Sequence, residues 1–236
     1  MKHGSLFSGI GGFDLAAQWC GWQNIFQVEI DNFCQKVLAK NFPDVKRYKD
    51  IKEFDGTEYK GSIDIISGGF PCQPFSVAGK QRGKADDRWL WDEMLRVIKE
   101  IQPCWIVGEN GANLWNMGIE NMLSQVEDEG YEVESFIIPA CAKKMLHRRD
   151  RIWIIAHSKS NDGNNTCLQN SRNKTFGLES GGCFGYESMP KLCRVDDGIP
   201  TELDRLKSLG NAIVPQVVFE IFNAIDQIEQ SKLRLF

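Results

Sequence analysis

Residues 63–76, IDIISGGFPCQPFS, form the stretch around which the chain is organised. Its first four residues are mostly apolar, as in a buried strand of a parallel sheet. Two glycines then allow the backbone to turn sharply, and a proline on each side of the Cys72–Gln73 pair stiffens the loop. Loops at this edge of a parallel sheet carry the chemistry of α/β proteins. We therefore predict that Cys72 is a nucleophile, with a buried structural cysteine as the alternative.

A glycine turn and a carboxylate precede this loop along the chain. Residues 3–9 predict a short strand, and Gly9, Gly11 and Gly12 predict a turn into a helix. The N–H groups of such a turn attract acceptor ligands, although the third glycine of the dinucleotide fingerprint is missing. Glu29 ends the next predicted strand, where a carboxylate can accept both hydroxyls of a ribose. The alternatives are an ordinary strand-to-helix turn and a solvated surface glutamate.

Other polar residues are predicted at the same edge of the sheet. Asp50 lies before the strand that leads into the cysteine loop, where it can accept from the exocyclic amine of a base. Glu109 follows the apolar run Trp105–Val107, so it shares an edge with Cys72 if the two strands are neighbours. Residues 78–84 carry three cations and predict a mobile loop that closes over an anionic ligand. A solvated loop is the alternative.

Composition indicates a globular protein with one sizeable core. Of 236 residues, 42% are hydrophobic and 25% are charged. The net charge of −4 argues against a wholly basic coat protein for nucleic acid, but clustered charge still permits local binding. One basic cluster lies within nine residues and comprises Lys143, Lys144, His147, Arg148, Arg149 and Arg151.

The eight cysteines are widely spaced and include no C-x-x-C pair, so the sequence predicts no metal site. No apolar run is long enough to span a membrane, and residues 1–4 lead directly into a strand-like segment without a signal peptide. These features predict a cytoplasmic protein with reduced cysteines.

Strand-like and helix-like segments alternate from residue 3 to residue 156, which predicts an α/β fold with a doubly wound, mostly parallel sheet. Residues 157–194 are rich in Asn, Ser and Gly and show no helical or strand period, so they predict a short irregular insertion. Residues 209–215 are expected to open a final helix. Its predicted core stripe comprises Val214, Val217, Val218, Ile221, Phe222, Ile225 and Ile228.

Taken together, the motifs resemble those of the C5-cytosine DNA methyltransferases. The matching stretches follow the order of that family and lie towards both ends of the chain. They are FSGIGG at 7–12, GFPCQPFS at 69–76, Glu109-Asn110, Arg149-Asp150-Arg151 and GNAIVP at 210–215. The Pro-Cys-Gln loop with its flanks is the most specific of them.

The resemblance implies the Rossmann-like fold of S-adenosylmethionine-dependent methyltransferases, with S-adenosylmethionine as the cofactor. The family often has an aromatic residue after the ribose carboxylate, whereas this chain has Ile30, which is expected to pack there without ring stacking. The implied cofactor positions are Phe7, Gly9 and Gly11 around the methionine moiety and adenine, Glu29 on the ribose, Ile30 beside it, Asp50 at the adenine amine, Ile51 on the adenine ring, and Pro71 and Asn211 completing the pocket.

The resemblance also implies the catalytic residues. Cys72 would add to C6 of a cytosine flipped out of double-stranded DNA, and Glu109 would hold the N3 edge. Arg151 would contact O2, and Arg149 would support the loop and a nearby phosphate. The implied role is restriction-modification or phage DNA protection, by a monomer with a companion restriction endonuclease.

The same resemblance divides the chain into three parts. Residues 1–156 would form the catalytic and cofactor-binding domain, 157–194 a short target-recognition insertion, and 195–236 a segment that returns to the catalytic domain. The insertion is much shorter than in typical members, as in compact phage or prophage members. The chain also has Gly111 where the family usually has Val, and His147 where it usually has Gln.

Two other functions remain open at this point. One is an RNA cytosine methyltransferase, although residues 73–76 follow the DNA pattern. The other is a catalytically weak DNA- or cofactor-binding homologue that needs a partner.

Overall fold

The computed structural model describes residues 1–71, 90–139, 150–159 and 212–233. These residues form seven strands, five α-helices and two 3-10 helices. The strands are β1 (Lys2–Leu6), β2 (Gln23–Val28), β3 (Lys46–Tyr48), β4 (Ile65–Gly68), β5 (Trp105–Gly111), β6 (Tyr131–Pro139) and β7 (Asp150–Ser158). The α-helices are α1 (Gly12–Trp19), α2 (Asn32–Asn41), α3 (Trp91–Ile101), α4 (Ile119–Asp128) and α5 (Pro215–Leu233), and the 3-10 helices are Thr57–Tyr59 and Ala112–Met117.

All seven strands form one sheet in the order β3-β2-β1-β4-β5-β7-β6. The pairs among β1 to β5 are parallel, whereas β7 runs antiparallel to both of its neighbours. The sheet therefore confirms the predicted mostly parallel α/β architecture. The reversal of β7 brings its first residues to the edge where the parallel strands end, because Gly111 at the end of β5 faces Arg151.

Strand β3 was not predicted from the sequence. It has three residues, Lys-Arg-Tyr, and pairs with the free edge of β2 from Phe26 to Val28. A strand this short and polar shows no alternating apolar pattern, so it forms because a neighbouring strand offers it hydrogen bonds.

Two hydrophobic cores cover the two faces of the sheet. One packs Leu6 and Phe26 against α3 and α4, including the fully buried Met94. The other packs Ile65 and Trp153 against α1 and α5. Helices on both faces are what a doubly wound sheet requires, so the layers predicted from the alternation of strand-like and helix-like segments are confirmed.

Helix α5 begins at Pro215, where a missing N–H has no helical cost. Its buried residues include Val218 and Phe222, and the Phe222 ring stacks on Trp22 with a centroid distance of 4.6 Å. The predicted stripe is wrong at its last position, because Ile228 is 44% exposed. Ile228 lies on the outer side of the helix, because the next residue, Glu229, is buried and accepts from Trp105 Nε1 at 3.0 Å.

Several predicted features lie outside the described residues. They are Cys72, the loop at 78–84, Arg149, Asn211 and the part of the proposed insertion from residue 160. Cys104 is disulfide-bonded, so the expectation of fully reduced cysteines is wrong at this residue, while Cys20 and Cys34 are free. In the part of the chain that the structure describes, no helix combines the length and the apolar character needed to cross a membrane.

Candidate active site

The first part of the site is the turn between β1 and α1. Its backbone is left-handed at Phe7 (φ 51°), Gly9 (φ 55°) and Gly11 (φ 90°). The conformation costs little at glycine but stores strain at Phe7. A Cβ atom on Gly11 would lie 2.5 Å from the Phe42 ring, whereas one on Gly9 would meet nothing within 4 Å. The turn is thus packed against Phe42 at Gly11 and open at Gly9.

Glu29, directly after β2, is bound to this turn. Its Oε2 accepts a hydrogen bond of 2.7 Å from the Gly9 N–H, and its Oε1 accepts one of 2.8 Å from the Asp31 N–H. Burial raises the pKa of Glu29, and the two backbone N–H donors oppose that shift. Each oxygen keeps a second lone pair, so the carboxylate is oriented and can still accept from a ligand.

Two residues without a predicted role support Glu29. Gln35 in α2 donates from its Nε2 to the Glu29 carbonyl at 2.6 Å. Asp31 caps the same helix by accepting from the N–H groups of Phe33 and Cys34. An aspartate directly before a helical segment is a recognisable capping signal, so Asp31 could have been found from the sequence.

The remaining predicted cofactor residues differ in their exposure. Ile30 is 63% exposed, whereas Ile51 is buried in the core and its carbonyl accepts from Arg96 at 2.6 Å. Asp50 is half-buried and accepts from the Lys52 N–H at 2.9 Å. Ile30 and Asp50 follow the neighbouring strands β2 and β3, so they lie at one edge with the glycine turn.

An ion pair between β5 and β7 forms the second part of the site, and β5 is three strands away from β2 in the sheet. Arg151 Nε lies 2.8 Å from Glu109 Oε1. Glu109 is only 8% exposed, so the guanidinium compensates a carboxylate that has little access to water. A Cβ on Gly69 would lie 3.2 Å from Glu109 Oε2, which shows how closely the chain after β4 passes this pair.

Asn110 fixes the chain that leads to Cys72. Its Nδ2 donates to the Phe70 carbonyl at 2.9 Å, and its Oδ1 accepts from the Gly111 N–H at 2.8 Å. The first bond joins the ends of β4 and β5 one residue before Pro71, which is half-buried. Asn110 belongs to the predicted Glu109-Asn110 motif, but no role was predicted for its side chain. A contact across forty residues leaves no local signal.

The ion pair also lines an apolar pocket. Its other lining residues are Ile138 at the end of β6, Trp153 in β7, and Ile213, Val214 and Val217 around the start of α5. A Cβ on Gly12 would lie 3.1 Å from the Ile213 carbonyl. Residues 212–214 therefore lie between the glycine turn and the ion pair. The sequence predicted α5 as core and Asn211 as part of the cofactor pocket, but it did not predict that Ile213, Val214 and Val217 line a pocket with the ion pair.

The structure thus brings together two predicted groups at one edge of the sheet. The turn residues and Glu29 form one, and Glu109 with Arg151 forms the other. Cys72, Arg149 and Asn211 lie outside the described residues, so their places are not part of this geometry. Within residues 1–71, 90–139, 150–159 and 212–233, no cluster of His, Cys, Asp and Glu could hold a metal ion.

Comparisons with known proteins give a consistent result. Residues 1–182 match the family model described as C-5 cytosine-specific DNA methylase. The Type II methyltransferase M.Eco47II of Escherichia coli is 35% identical over 158 residues, which are 64% of this chain and 38% of that protein. The chain therefore matches well under half of the length of this curated relative.

Solved structures show the same architecture. A DNMT2 mutant from Spodoptera frugiperda has a TM-score of 0.58 at 22% identity, over 68% of this chain and 51% of that one. A putative DNA modification methyltransferase encoded within an Escherichia coli prophage has a TM-score of 0.56 at 27% identity, over 68% of this chain and 47% of that one. Together with the strand order, these likenesses confirm the predicted fold class.

Proposed function

Because the chain belongs to the C-5 cytosine-specific DNA methylase family and has the Rossmann-like methyltransferase fold, we propose that it transfers a methyl group from S-adenosylmethionine to C5 of cytosine in double-stranded DNA. One observation carries the proposal. The Glu109–Arg151 ion pair, at 2.8 Å, lies at the same sheet edge as the glycine turn and Glu29. A base-binding pair and a ribose-binding carboxylate at one edge suit a reaction between a nucleotide base and an adenosyl cofactor.

The residues at the β1–β2 edge fit S-adenosylmethionine. Glu29 offers two oriented acceptors to ribose hydroxyls, and the open side of Gly9 leaves room for the ligand. Ile30 supplies an exposed apolar surface beside the ribose carboxylate. Phe7, Gly11, Asp50, Ile51, Pro71 and Asn211 complete the proposed cofactor site. When bound, the cofactor supplies the electrophilic methyl group.

The chemistry of cytosine explains the need for a thiol. C5 is a poor nucleophile until a group adds to C6 and converts the ring to an enamine. We assign that addition to the Cys72 thiolate, which forms the S–C6 bond. After methyl transfer, loss of the C5 proton and breakage of the S–C6 bond regenerate the thiolate and release 5-methylcytosine.

Glu109 and Arg151 stabilise the ring while Cys72 is attached. Glu109 holds N3 and shares a proton there, which offsets the negative charge that addition to C6 places in the ring. Arg151 keeps Glu109 oriented through the 2.8 Å contact and contacts the base O2. Arg149 supports the loop and a phosphate of the substrate.

A base in a duplex is stacked and paired, so its C6 face becomes accessible only when the nucleotide is flipped out. Residues 157–194 carry five Lys or Arg against three Asp or Glu, a balance suited to phosphate contacts. We assign target recognition to this segment. We also propose that the protein acts as a monomer in the cytoplasm. The proposed setting is restriction-modification or phage DNA protection, with a companion endonuclease.

Transfer of labelled methyl groups tests the proposal. The full chain is incubated with labelled S-adenosylmethionine and either duplex DNA or transfer RNA, alongside Cys72→Ala. Label in DNA that is lost in the variant supports the proposal. Label in RNA alone would assign the chain to RNA, and cofactor binding without transfer would indicate a binding homologue.

Cys20→Ala is the matched control for the thiol. Burial and the nearby Asp226 carboxylate raise the pKa of Cys20 to about 12, so its thiol stays protonated near neutral pH. We expect this variant to keep full transfer.

A covalent trap tests the mechanism separately. A fluorine at C5 of the target cytosine cannot leave as a proton, so the Cys72–C6 adduct should accumulate after methyl transfer. Denaturing electrophoresis would show the protein linked to DNA for the wild type but not for Cys72→Ala. Methylation of ordinary DNA without a trapped adduct would contradict the thiol mechanism.

A further inference from the structure

A buried polar cluster lies beneath the glycine turn, on the face of the sheet that α1 covers. The proposed function uses none of its side chains. Its members come from β1, β2, β4 and α1, and they are His3, Ser5, Asp14, Asn24, Gln27 and Ser67. All except Asn24 are fully buried. Such a cluster is stable only if its donors and acceptors are matched.

One branch of the cluster is fully paired. Asn24 Nδ2 donates to the Asp14 carbonyl at 3.0 Å, which fixes the orientation of the amide. Its Oδ1 then accepts from His3 Nδ1 at 2.7 Å, and His3 Nε2 lies 2.7 Å from Ser67 Oγ. A neutral imidazole that accepts from the Ser67 hydroxyl satisfies every atom in this branch.

The other branch is incompletely paired. Gln27 Nε2 donates to Asp14 Oδ1 at 2.9 Å. Three buried oxygens in the same group have no hydrogen-bond partner, namely Ser5 Oγ, Asp14 Oδ2 and Gln27 Oε1. Ser5 and Gln27 face each other across the β1–β2 pair, so the three atoms belong to adjacent side chains.

Donor counting distinguishes the two states of the carboxyl group. With Asp14 ionised, Ser5 has one hydroxyl hydrogen for two unpaired acceptors, Asp14 Oδ2 and Gln27 Oε1, so at least one buried oxygen stays unpaired. With Asp14 protonated there are two hydrogens, so Oδ2–H can donate to Ser5 Oγ and the Ser5 hydroxyl to Gln27 Oε1 once these side chains turn towards one another; neither bond is formed in the structure. The third bond, from Gln27 to Asp14, already exists. Only the protonated state closes the ring.

The surroundings favour the same state. Burial raises the pKa of Asp14, while His3, Gln27 and Ser5 oppose the shift. Burial also lowers the pKa of His3, the titratable neighbour whose charge acts on Asp14. A neutral imidazole cannot compensate a buried carboxylate, so ionised Asp14 would be an unpaired charge in the core.

We propose that Asp14 is a positioning residue for the cofactor edge, where as a neutral carboxylic acid it closes a ring of hydrogen bonds with Ser5 and Gln27. The ring joins the first turn of α1 to β1 and β2. Gly12 lies two residues before Asp14, and Glu29 lies two residues after Gln27. The ring therefore sets the distance between the glycine turn and the ribose carboxylate, and this part of the inference rests on the proposed function.

Infrared difference spectroscopy tests the protonation state directly. The wild-type spectrum minus that of Asp14→Asn should contain the carbonyl stretch of a protonated carboxylic acid at neutral pH. A carboxylate band in its place would overturn the proposal. This measurement needs no ligand, so it stands even if the protein binds no cofactor.

Amide NMR and titration calorimetry test the positioning role. Asn keeps an acceptor and a donor. Asp14→Asn should therefore leave the Gly9 amide chemical shift unchanged and the Kd for S-adenosylhomocysteine within about twofold of wild type. Asp14→Leu should move the Gly9 shift and raise the Kd about tenfold, the loss expected from a missing buried hydrogen bond. If Asp14→Leu does not fold, Ser5→Ala opens the same ring and should act in the same direction.

Tyr131→Phe is the matched control, because it removes a buried hydrogen bond of 2.8 Å to the Pro103 carbonyl at the far end of the sheet. It should lower stability without changing the Kd or the Gly9 shift. An equal loss of affinity in Tyr131→Phe, or wild-type affinity in Asp14→Leu, would overturn the positioning role. If the wild type binds no S-adenosylhomocysteine, the proposed function fails and the Gly9 shifts alone decide the inference.

Discussion

At the scale of single residues, the environment of a carboxyl group decides what it can do. Glu109 faces a guanidinium at 2.8 Å, Glu29 faces two backbone N–H groups, and Asp14 faces uncharged side chains. The first two are oriented acceptors, whereas the third is a candidate donor.

The glycine that replaces the family's usual valine has no special backbone requirement. Gly111 has a φ of −62°, which suits any residue, and an added Cβ would meet nothing within 4 Å. The family's usual valine would fit there.

We predict that Glu109→Gln lowers kcat about a hundredfold, because an amide holds N3 without sharing a proton at the moment charge develops. The fold should be kept, since glutamine has the same shape and Asn110 still joins β4 to β5. Single-turnover methyl transfer measures the effect. Glu127→Gln, on the exposed side of α4, is the control and should keep the wild-type rate. A wild-type rate in Glu109→Gln would exclude the proposed proton role.

We also predict that Asp14→Asn becomes more stable relative to wild type as the pH rises. Folding raises the pKa of Asp14. Between the unfolded pKa of about 4 and the folded pKa, the folded state keeps a proton that the unfolded state releases. The free energy of unfolding of the wild type therefore falls by about 1.4 kcal/mol for each pH unit in this range. Asparagine does not titrate and avoids this cost. Urea unfolding at about pH 4 and about pH 7 measures the difference between the two proteins, and a difference that does not change with pH would contradict the raised pKa.

At the scale of elements, α5 has two tasks at its two ends. Its first residues close the apolar pocket beside the ion pair, and its middle packs on α1 under the glycine turn. Phe222 joins these layers, because it contacts Phe13 of α1 with a centroid distance of 6.2 Å as well as Trp22. A helix that supports the turn and lines the site couples core packing to the geometry of the edge.

We predict that Phe222→Ala lowers the free energy of unfolding by about 3–5 kcal/mol, the usual cost of a cavity left by a fully buried aromatic ring. Denaturant unfolding followed by circular dichroism measures it. Ile228→Ala is the control on the same helix, and we expect a change of less than about 0.5 kcal/mol because that side chain is 44% exposed. Equal losses in the two variants would mean that α5 does not pack as described.

At the scale of the whole molecule, the carboxyl ends of the parallel strands and the beginning of the antiparallel β7 meet at one edge. The turn at β1, the carboxylate after β2 and the ion pair of β5 and β7 all lie there. A ligand that bridges these groups binds only the folded chain, so binding should stabilise the entire fold.

We predict that S-adenosylhomocysteine at about one hundred times its Kd raises the free energy of unfolding by about 2.7 kcal/mol. Glu29→Ala should abolish most of this gain, because the ribose loses both of its acceptors. Thermal unfolding with and without the ligand measures the effect. The exposed Glu134→Ala is the control and should keep the gain. An undiminished gain in Glu29→Ala would show that the ligand binds elsewhere.

The sequence by itself determined the α/β class, the order of the elements and most of the candidate residues, because periodicity, glycine turns and strand ends are local signals. Only the tertiary structure decided which residues meet. The reversal of β7 places Arg151 on Glu109, Asn110 reaches the Phe70 carbonyl, and β3 forms on the edge of β2. Asp14 lies in the first turn of α1, and only its burial among Ser5 and Gln27 limits its partners. Such contacts depend on strand order and on burial, which no local pattern encodes.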